Sequence, residues 1–429
     1  MVGLSSFGRM PERKKAVKPK PKPKVRAKNP VAIAVPPPRA PSPLGGGTRE
    51  RRPGEAVAVR WVGFMQDGSG YAEAGRNYVA ALLGAGVRVT AQSVSVDNIR
   101  ADYGRAGRLA DGIIDLPMNY HVNVVFMPPH FFRNHMDPNC YNIGLFDWET
   151  ESLPSQWVNA CNGMDELWVP CRWTADICRR SGVVKPVHVF GHCASPEDYA
   201  GVGQTRIPTI ALDVWKFYSI FQWTERKAPE TLLRAYLTGF TARDRVALVL
   251  KTYGVDFGDQ QRLEISERVR KLTAKIGGSD APAVYVILDM LSKTDLLELH
   301  ASCDCFVLFH RAEGWGLPHF EASMMGKPVI TTGYSANMEF TRPEHSYLAG
   351  YKQIPITGME WFPWYTPNMT WADPDVDDCR RLMQHVFRNQ GEARRKGKLA
   401  KAFVQSRFTW PVVGAQMKKR LDDIYATLA

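Results

Sequence analysis

Two α/β domains, each built on a doubly wound parallel sheet, are predicted by three features of the chain. Apolar runs rich in β-formers alternate with helix-length segments. The alternation occurs in two series, and a loop-rich stretch, CASPEDYAGVGQTR (Cys193 to Arg206), separates them. With 429 residues, 45% of them hydrophobic, the chain also holds material for two cores. The expected domains are 55–200 and 205–405, behind a distinct segment at 1–54.

The first series opens with AVAVRWVG (Ala56 to Gly63), a Gly-containing loop, a helix over Tyr71 to Leu83 and the run VRVTA. Strands follow at Asn123 to Phe126, Tyr141 to Phe146, Glu166 to Pro170 and Val187 to Phe190, with helices between them such as Trp173 to Gly182. The second series runs VWKFYSIF, a helix from Pro229 to Phe240, VALVLKT, a charged helix after Gly258, VYVIL, a helix from Lys293 to Ala301, and CFVLF. From Arg380 to Leu428 the pattern is mainly helical, broken near Thr409-Trp410-Pro411. The aromatic stretch Met359 to Trp371 reads either as a packed loop or as an acceptor-facing surface.

Charge is unevenly placed. Residues 1–55 carry 14 Lys/Arg against 3 Asp/Glu, a net of +11, which leaves only +1 for the rest of the chain. Alternating Lys-Pro in KKAVKPKPKPKVRAK blocks helix and sheet, so 1–54 is expected to be a disordered tail. It is either a solubilising segment or an attachment to nucleic acid or an anionic membrane surface. No run reaches the roughly 18 apolar residues of a spanning helix, and MVGLSSFGRMPERKK lacks the apolar core of a secretory signal. Cytoplasmic location, associated with DNA or the inner membrane surface, is the expectation. The eight cysteines show no paired CxxC spacing and suit reduced structural thiols.

The chemistry concentrates in EGWGLPHFE. Glu313 and Glu321, eight positions apart, bracket a Gly-Trp-Gly-Leu-Pro turn between the strand-like CDCFVLFH and a short helix ended at Gly326-Lys327-Pro328. Pro318 suits the first helical turn, and Gly314 and Gly316 leave the backbone open to a ligand. The helix start offers unpaired N–H groups and a positive dipole end, which suit a phosphate. Two carboxylates would repel that anion, so neutral hydroxyls of a sugar and a ribose are the better partners. A nucleotide-sugar is the ligand this combination implies. Arg226-Lys227, between the strand around Phe217 to Phe221 and the helix at Pro229, places two cations where a diphosphate leaving group gathers charge. With these cations and the helix dipole available, no divalent metal is expected. Asp375-Val376-Asp377 imitates a metal-binding DxD but stands before a helix, where acidic residues are favourable without metal.

EGWGLPHFEASMMGKPVI resembles the donor-site signature of the retaining family 4 glycosyltransferases of the GT-B fold. FYSIFQWTERKAPETLLRAYLTGF, LSKTDLLELHASCDCFVLFH and GSGYAEAGRNYVAALLGAGVRV resemble further parts of that family, and the resemblance spans residues 55 to 429. It implies two Rossmann-like domains facing a cleft, an acceptor-binding first domain, a nucleotide-sugar-binding second domain, and a last helix, 411–429, that packs back on the first. It also implies retaining, metal-independent hexosyl transfer from a nucleotide-diphosphate sugar to an acceptor hydroxyl, the donor acting as co-substrate and no other cofactor.

By the same resemblance Glu313 contacts donor sugar hydroxyls and Glu321 the ribose. Gly314, Trp315, Gly316 and Leu317 form the donor loop, with Trp315 either facing the cleft or anchoring the loop. Glu339, in Asn337-Met338-Glu339, borders the sugar or caps a helix. Gly68, Ser69 and Gly70 approach phosphate or acceptor, or form a plain turn. Two departures stand out. The family's Gly-Arg start of the basic loop reads Phe221-Gln222 here. Where many members carry a histidine, this chain has Asp147, Trp148 and Glu149. Asp147 and Glu149 bind an acceptor hydroxyl, or steady charge at the anomeric carbon, or cap the helix near Pro154; His130 is a second candidate. The alternative readings are hydroxylated-base DNA or a membrane lipid as acceptor, reached through the tail, and a non-catalytic binding or scaffold protein on the same fold.

Overall fold

The computed structural model describes residues 46–47, 56–94, 102–204, 210–254, 256–366 and 368–428. The expected tail, 1–54, lies outside the described residues apart from Gly46 and Gly47, and Gly47 bridges to Tyr120.

The first domain contains β1 (Ala58–Gly63), α1 (Gly70–Gly84), β2 (Arg88–Ser93), α2 (Gly104–Asp111), β3 (Val122–Phe126) and α3 (Phe132–His135). It continues with β4 (Tyr141–Leu145), α4 (Ser155–Asn162), β5 (Glu166–Val169), α5 (Arg172–Arg180) and β6 (Val187–Val189). The second domain begins with β7 (Trp215–Gln222), α6 (Pro229–Gly239), β8 (Val246–Tyr253), α7 (Asp259–Ile276), β9 (Ala283–Ile287), α8 (Lys293–Ser302) and β10 (Cys305–Leu308). It closes with α9 (Leu317–Met324), β11 (Val329–Thr332), β12 (Tyr347–Ala349), a hairpin of β13 (Tyr351–Pro355) and β14 (Thr370–Pro374), then α10 (Val376–Arg388), α11 (Gln390–Arg407) and α12 (Trp410–Thr427).

Both main sheets are six-stranded and parallel, ordered β2-β1-β3-β4-β5-β6 and β12-β11-β10-β7-β8-β9. Helices cover both faces of such sheets, so the central strands are buried throughout: every residue of β3 and of β10 is buried. This is why they appear in the sequence as unbroken apolar runs.

The C-terminal stretch is three helices rather than one broken once. The unexpected break falls at Asn389, which leaves helical geometry at φ −120°, ψ 48° and donates its side-chain amide to the His385 carbonyl at 2.8 Å. The expected break at Thr409 pairs with Ala194 as an isolated bridge. After it, α12 returns to the first domain: Val413, Met417, Leu421 and Ile424 share a core with β1 and α1, and Tyr425 Oη donates to the Ala58 carbonyl at 2.7 Å. Gly414 lies so close to α1 that an added Cβ would sit 2.2 Å from the Ala81 carbonyl oxygen. Gly414→Val is therefore expected to destabilise the protein by about 1–3 kcal/mol, read as a lowered melting temperature. An unchanged melt would show that α12 is not seated there.

Candidate active site

In the second sheet the winding reverses between β7 and β10, and ligands of such sheets bind beyond the strand ends at that point. The two loops that leave β7 and β10 are the ones carrying Arg226-Lys227 and Glu313. The fold brings these residues together. Arg226 and Lys227 lie in a 3-10 turn, Glu225–Lys227, that enters α6 through Ala228 at φ 44°. Lys227 Nζ donates to Glu313 Oε1 at 2.5 Å. Arg226 Nη1 donates to the Ala312 carbonyl at 3.0 Å and lies 3.6 Å from both Glu313 Oε2 and Glu149 Oε1. Burial raises the Glu313 carboxyl, but Lys227 and Arg226 outweigh it and hold the group well below the ordinary carboxylate range.

The acidic loop is shaped by close approach. Gly316 has φ +91°, and a Cβ there would meet His319 Nδ1 at 2.8 Å. A Cβ on Gly314 would meet Asp147 Cβ at 2.9 Å, so the loop touches the first domain directly. Trp315 is 2% exposed and packs on Phe320, Phe340 and Phe408, which makes its indole an anchor beneath the loop. Leu317 opens α9 opposite Gly70, whose added Cβ would sit 3.5 Å from Leu317 Cδ1. Beside Gly70, Ser69 caps α1 by accepting from the Ala72 amide at 3.1 Å, and Gly68 faces Met290. Ser335, held at φ 68°, accepts from the Glu313 amide at 2.9 Å.

Glu339 ends the 3-10 turn that follows Ser335. Its Oε2 accepts from the Arg172 amide at 3.0 Å, so it caps α5 from across the domain boundary. It lines a cleft of about 330 Å³ with Arg172, Trp173, Tyr334, Ser335 and Tyr351, and Ser335 links that cleft to the acidic loop through the Glu313 amide. Asp375 accepts from the amides of Asp377 and Asp378 and caps α10. Among the described residues, no group of three or more His, Cys, Asp or Glu could hold a metal ion.

Glu321 anchors a second charged cluster that the sequence did not reveal. Lys293 of α8 binds Glu321 and also Glu73 of α1, the latter at 2.8 Å, and Glu73 pairs with Arg76 at 3.0 Å. His300 Nε2 lies 3.5 Å from Glu321 Oε2. Burial pushes the Glu321 carboxyl up, yet Lys293 and His300 outweigh it and hold it at about 2. Lys293 and Glu73 look like ordinary helix-start charges in sequence, and only the facing of the domains makes them partners.

From the first domain, Asp147 and Glu149 both reach the second. Asp147 Oδ1 is 2.9 Å from His192 Nε2, a residue the sequence did not single out, lying just beyond β6. Burial raises the Glu149 carboxyl, with Arg226 opposing and Glu313 adding. His130 is not with them: it stacks on Trp364 at 4.3 Å between ring centroids, and burial holds its imidazole at about 4. Trp364 and Tyr365, from the β13–β14 hairpin, reach across to Trp157 and Trp148. The aromatic stretch is therefore packed against the first domain.

His319, at the base of the acidic loop, gives a pH-dependent expectation. Its imidazole is fully buried, with Nε2 3.0 Å from Thr331 Oγ1, and burial holds it at about 4 against an ordinary 6.5 despite the nearby Glu313 charge. The folded state thus favours the neutral ring, while the unfolded chain takes up a proton below 6.5. Stability should fall as pH drops from 6.5 toward 4, by about 2 kcal/mol at pH 5 from this residue alone. Urea unfolding at pH 7 and pH 5 checks it: His319→Gln should lose less stability on acidification than the native chain, and an equal loss would contradict the assignment.

Residues 215–351 match the family model described as glycosyl transferases group 1. No curated protein matches the chain. Among solved structures, HepE of Anabaena in complex with UDP and glucose is similar, with 11% identity, a TM-score of 0.59, and coverage of 86% of this chain and 100% of that one. Sucrose-phosphate synthase of Thermosynechococcus elongatus has 14% identity and a TM-score of 0.62 over 86% of this chain and 100% of its own. A glycosyltransferase from Rickettsia africae has 13% identity and a TM-score of 0.60 over 86% and 98%. At these identities the likeness establishes the architecture. The chain has the GT-B fold of the glycosyltransferases, and its matched region holds both the basic pair and the acidic loop.

Proposed function

We propose that the protein is a retaining glycosyltransferase that moves a sugar from a nucleotide-diphosphate sugar to an acceptor hydroxyl. The observation that carries this reading is the Glu313 carboxylate set on Lys227 and Arg226 at the sheet's switch point. As the glycosidic bond breaks, charge builds on the leaving diphosphate, and two fixed cations in a largely buried site stabilise it. Those cations supply the charge that a divalent metal would otherwise bring. Glu313 then turns to sugar hydroxyls and Glu321 to the ribose. Asp147 and Glu149 meet the acceptor from the first domain. Retention follows if the acceptor attacks the face the diphosphate leaves, with a donor phosphate oxygen taking the acceptor proton.

HepE holds UDP and glucose, so UDP-glucose leads the donors to assay. Mass spectrometry of products from a panel of nucleotide-sugars, with chelator present, should show sugar release or transfer. Anomeric configuration by NMR then distinguishes retention from inversion. No turnover of any donor would favour the non-catalytic scaffold reading.

A second reading concerns the acceptor and rests on the net +11 charge of residues 1–55. That segment suits attachment to DNA or to an anionic membrane carrying the acceptor. Deleting 1–54 should abolish salt-sensitive binding to duplex DNA or to anionic liposomes; binding unaffected by the deletion would return the tail to a solubilising role.

A further inference from the structure

His192 occupies an unusual place in this site. Its side chain is 2% exposed and enclosed by rings: Trp315 stacks on it at 5.1 Å with 14° between planes, while Tyr78 and Phe126 present their edges at 5.4 and 6.2 Å. Within this cage Nδ1 is buried with no hydrogen-bond partner, and Nε2 meets Asp147 Oδ1 at 2.9 Å. A buried N–H without an acceptor is costly, so the proton belongs on Nε2, where it is donated to the carboxylate. Asp147 is held from its other side as well. Its amide donates to Tyr71 Oη at 3.1 Å, and its carbonyl accepts from the same hydroxyl at 3.2 Å. These bonds hold the Asp147 backbone, its Cβ lies against Gly314, next to Glu313, and His192 is the group that holds the carboxylate itself.

We propose that His192 is a positioning residue: as a neutral Nε2–H donor it aims the Asp147 carboxylate at the acceptor hydroxyl, and by stacking on Trp315 it registers the acceptor domain on the donor loop. The imidazole shuttles no proton, since its second nitrogen faces only the apolar cage. In metal sites an outer hydrogen bond orients a ligating side chain in the same way, and its loss costs about 10–100-fold. This inference rests on the glycosyltransferase reading for its kinetic arm, but not for its spectroscopic arm.

The spectroscopic arm uses the full chain labelled with ¹⁵N-histidine. A long-range ¹H–¹⁵N spectrum should show His192 protonated on Nε2 alone, with its signals displaced in Asp147→Asn. An Nδ1–H tautomer or an imidazolium overturns the proposal. The kinetic arm uses UDP-glucose with water as acceptor, read as UDP release. His192→Phe keeps a ring on Trp315 but donates nothing, so kcat should fall about 10–100-fold with the donor KM unchanged. His192→Gln, which retains an N–H donor, should recover part of that loss. Native kcat in His192→Phe, or equal losses in the two variants, overturns the proposal. If the native chain neither hydrolyses nor transfers sugar from any donor of the panel, the glycosyltransferase reading fails, and the tautomer measurement alone decides the role of His192.

Discussion

Glu313→Gln is expected to lower turnover of the donor by about 10²–10³-fold, because it removes the charge that sits on Lys227 and that the proposed mechanism sets against the reacting sugar. The same change should also destabilise the fold. Glu313 is 4% exposed and shares both carboxylate oxygens with cations, so removing it leaves Lys227 buried without its partner. Breaking a buried pair in this way costs about 3–5 kcal/mol, whereas replacing both partners by neutral groups is near neutral. The double variant Glu313→Gln/Lys227→Met should therefore regain most of the lost melting temperature without regaining turnover. That combination separates function from folding. If the double variant recovers both, the pair is structural and the donor assignment fails.

Arg226→Ala/Lys227→Ala is expected to have the second large effect. Two fixed cations beside a leaving diphosphate contribute as an arginine clamp does in phosphoryl transfer, so kcat should fall about 10³-fold or more. Binding of UDP should weaken in parallel, since the product carries the same diphosphate; isothermal titration with UDP tests this without needing an acceptor. Arg226 also ties the loop to Ala312 and to Glu149 of the other domain, so the variant should melt at a lower temperature. UDP affinity equal to that of the native chain would show that the diphosphate lies elsewhere, whatever the effect on stability.

Much of the fold was legible because parallel strands buried on both faces leave unbroken apolar runs, as VNVVF of β3 and CFVL of β10 do. The hairpin was not legible. β13 is exposed along most of its length, so YKQIP shows no alternation, and its neighbour reads as an undirected aromatic stretch. Its destination, the rings of Trp148 and Trp157, lies in the other domain. The break at Asn389 was not anticipated, although VFRNQGEAR holds Asn389 and Gly391, residue types that commonly end helices.

The candidate site divides along the same line. Glu313 and Glu321 sit on one continuous loop and helix, and Arg226 and Lys227 on another, so each group was readable from local order alone. The two loops meet only because the sheet reverses its winding between β7 and β10. Lys293 and Glu73, His192 and Asp147, and Arg226 and Glu149 are each pairs from different elements, two of the three spanning the domains, and no spacing encodes them. Glu339 shows the converse: of its two readings, bordering the sugar or capping a helix, the visible contact is the hydrogen bond it accepts at the start of α5 in the other domain. The sequence by itself determined two doubly wound domains and the residue types of the proposed nucleotide-sugar site, since periodicity and loop chemistry are local. Only the tertiary structure decided which charges neutralise one another and which histidine meets Asp147, because electrostatic partners in a low-dielectric cleft are chosen by distance in space.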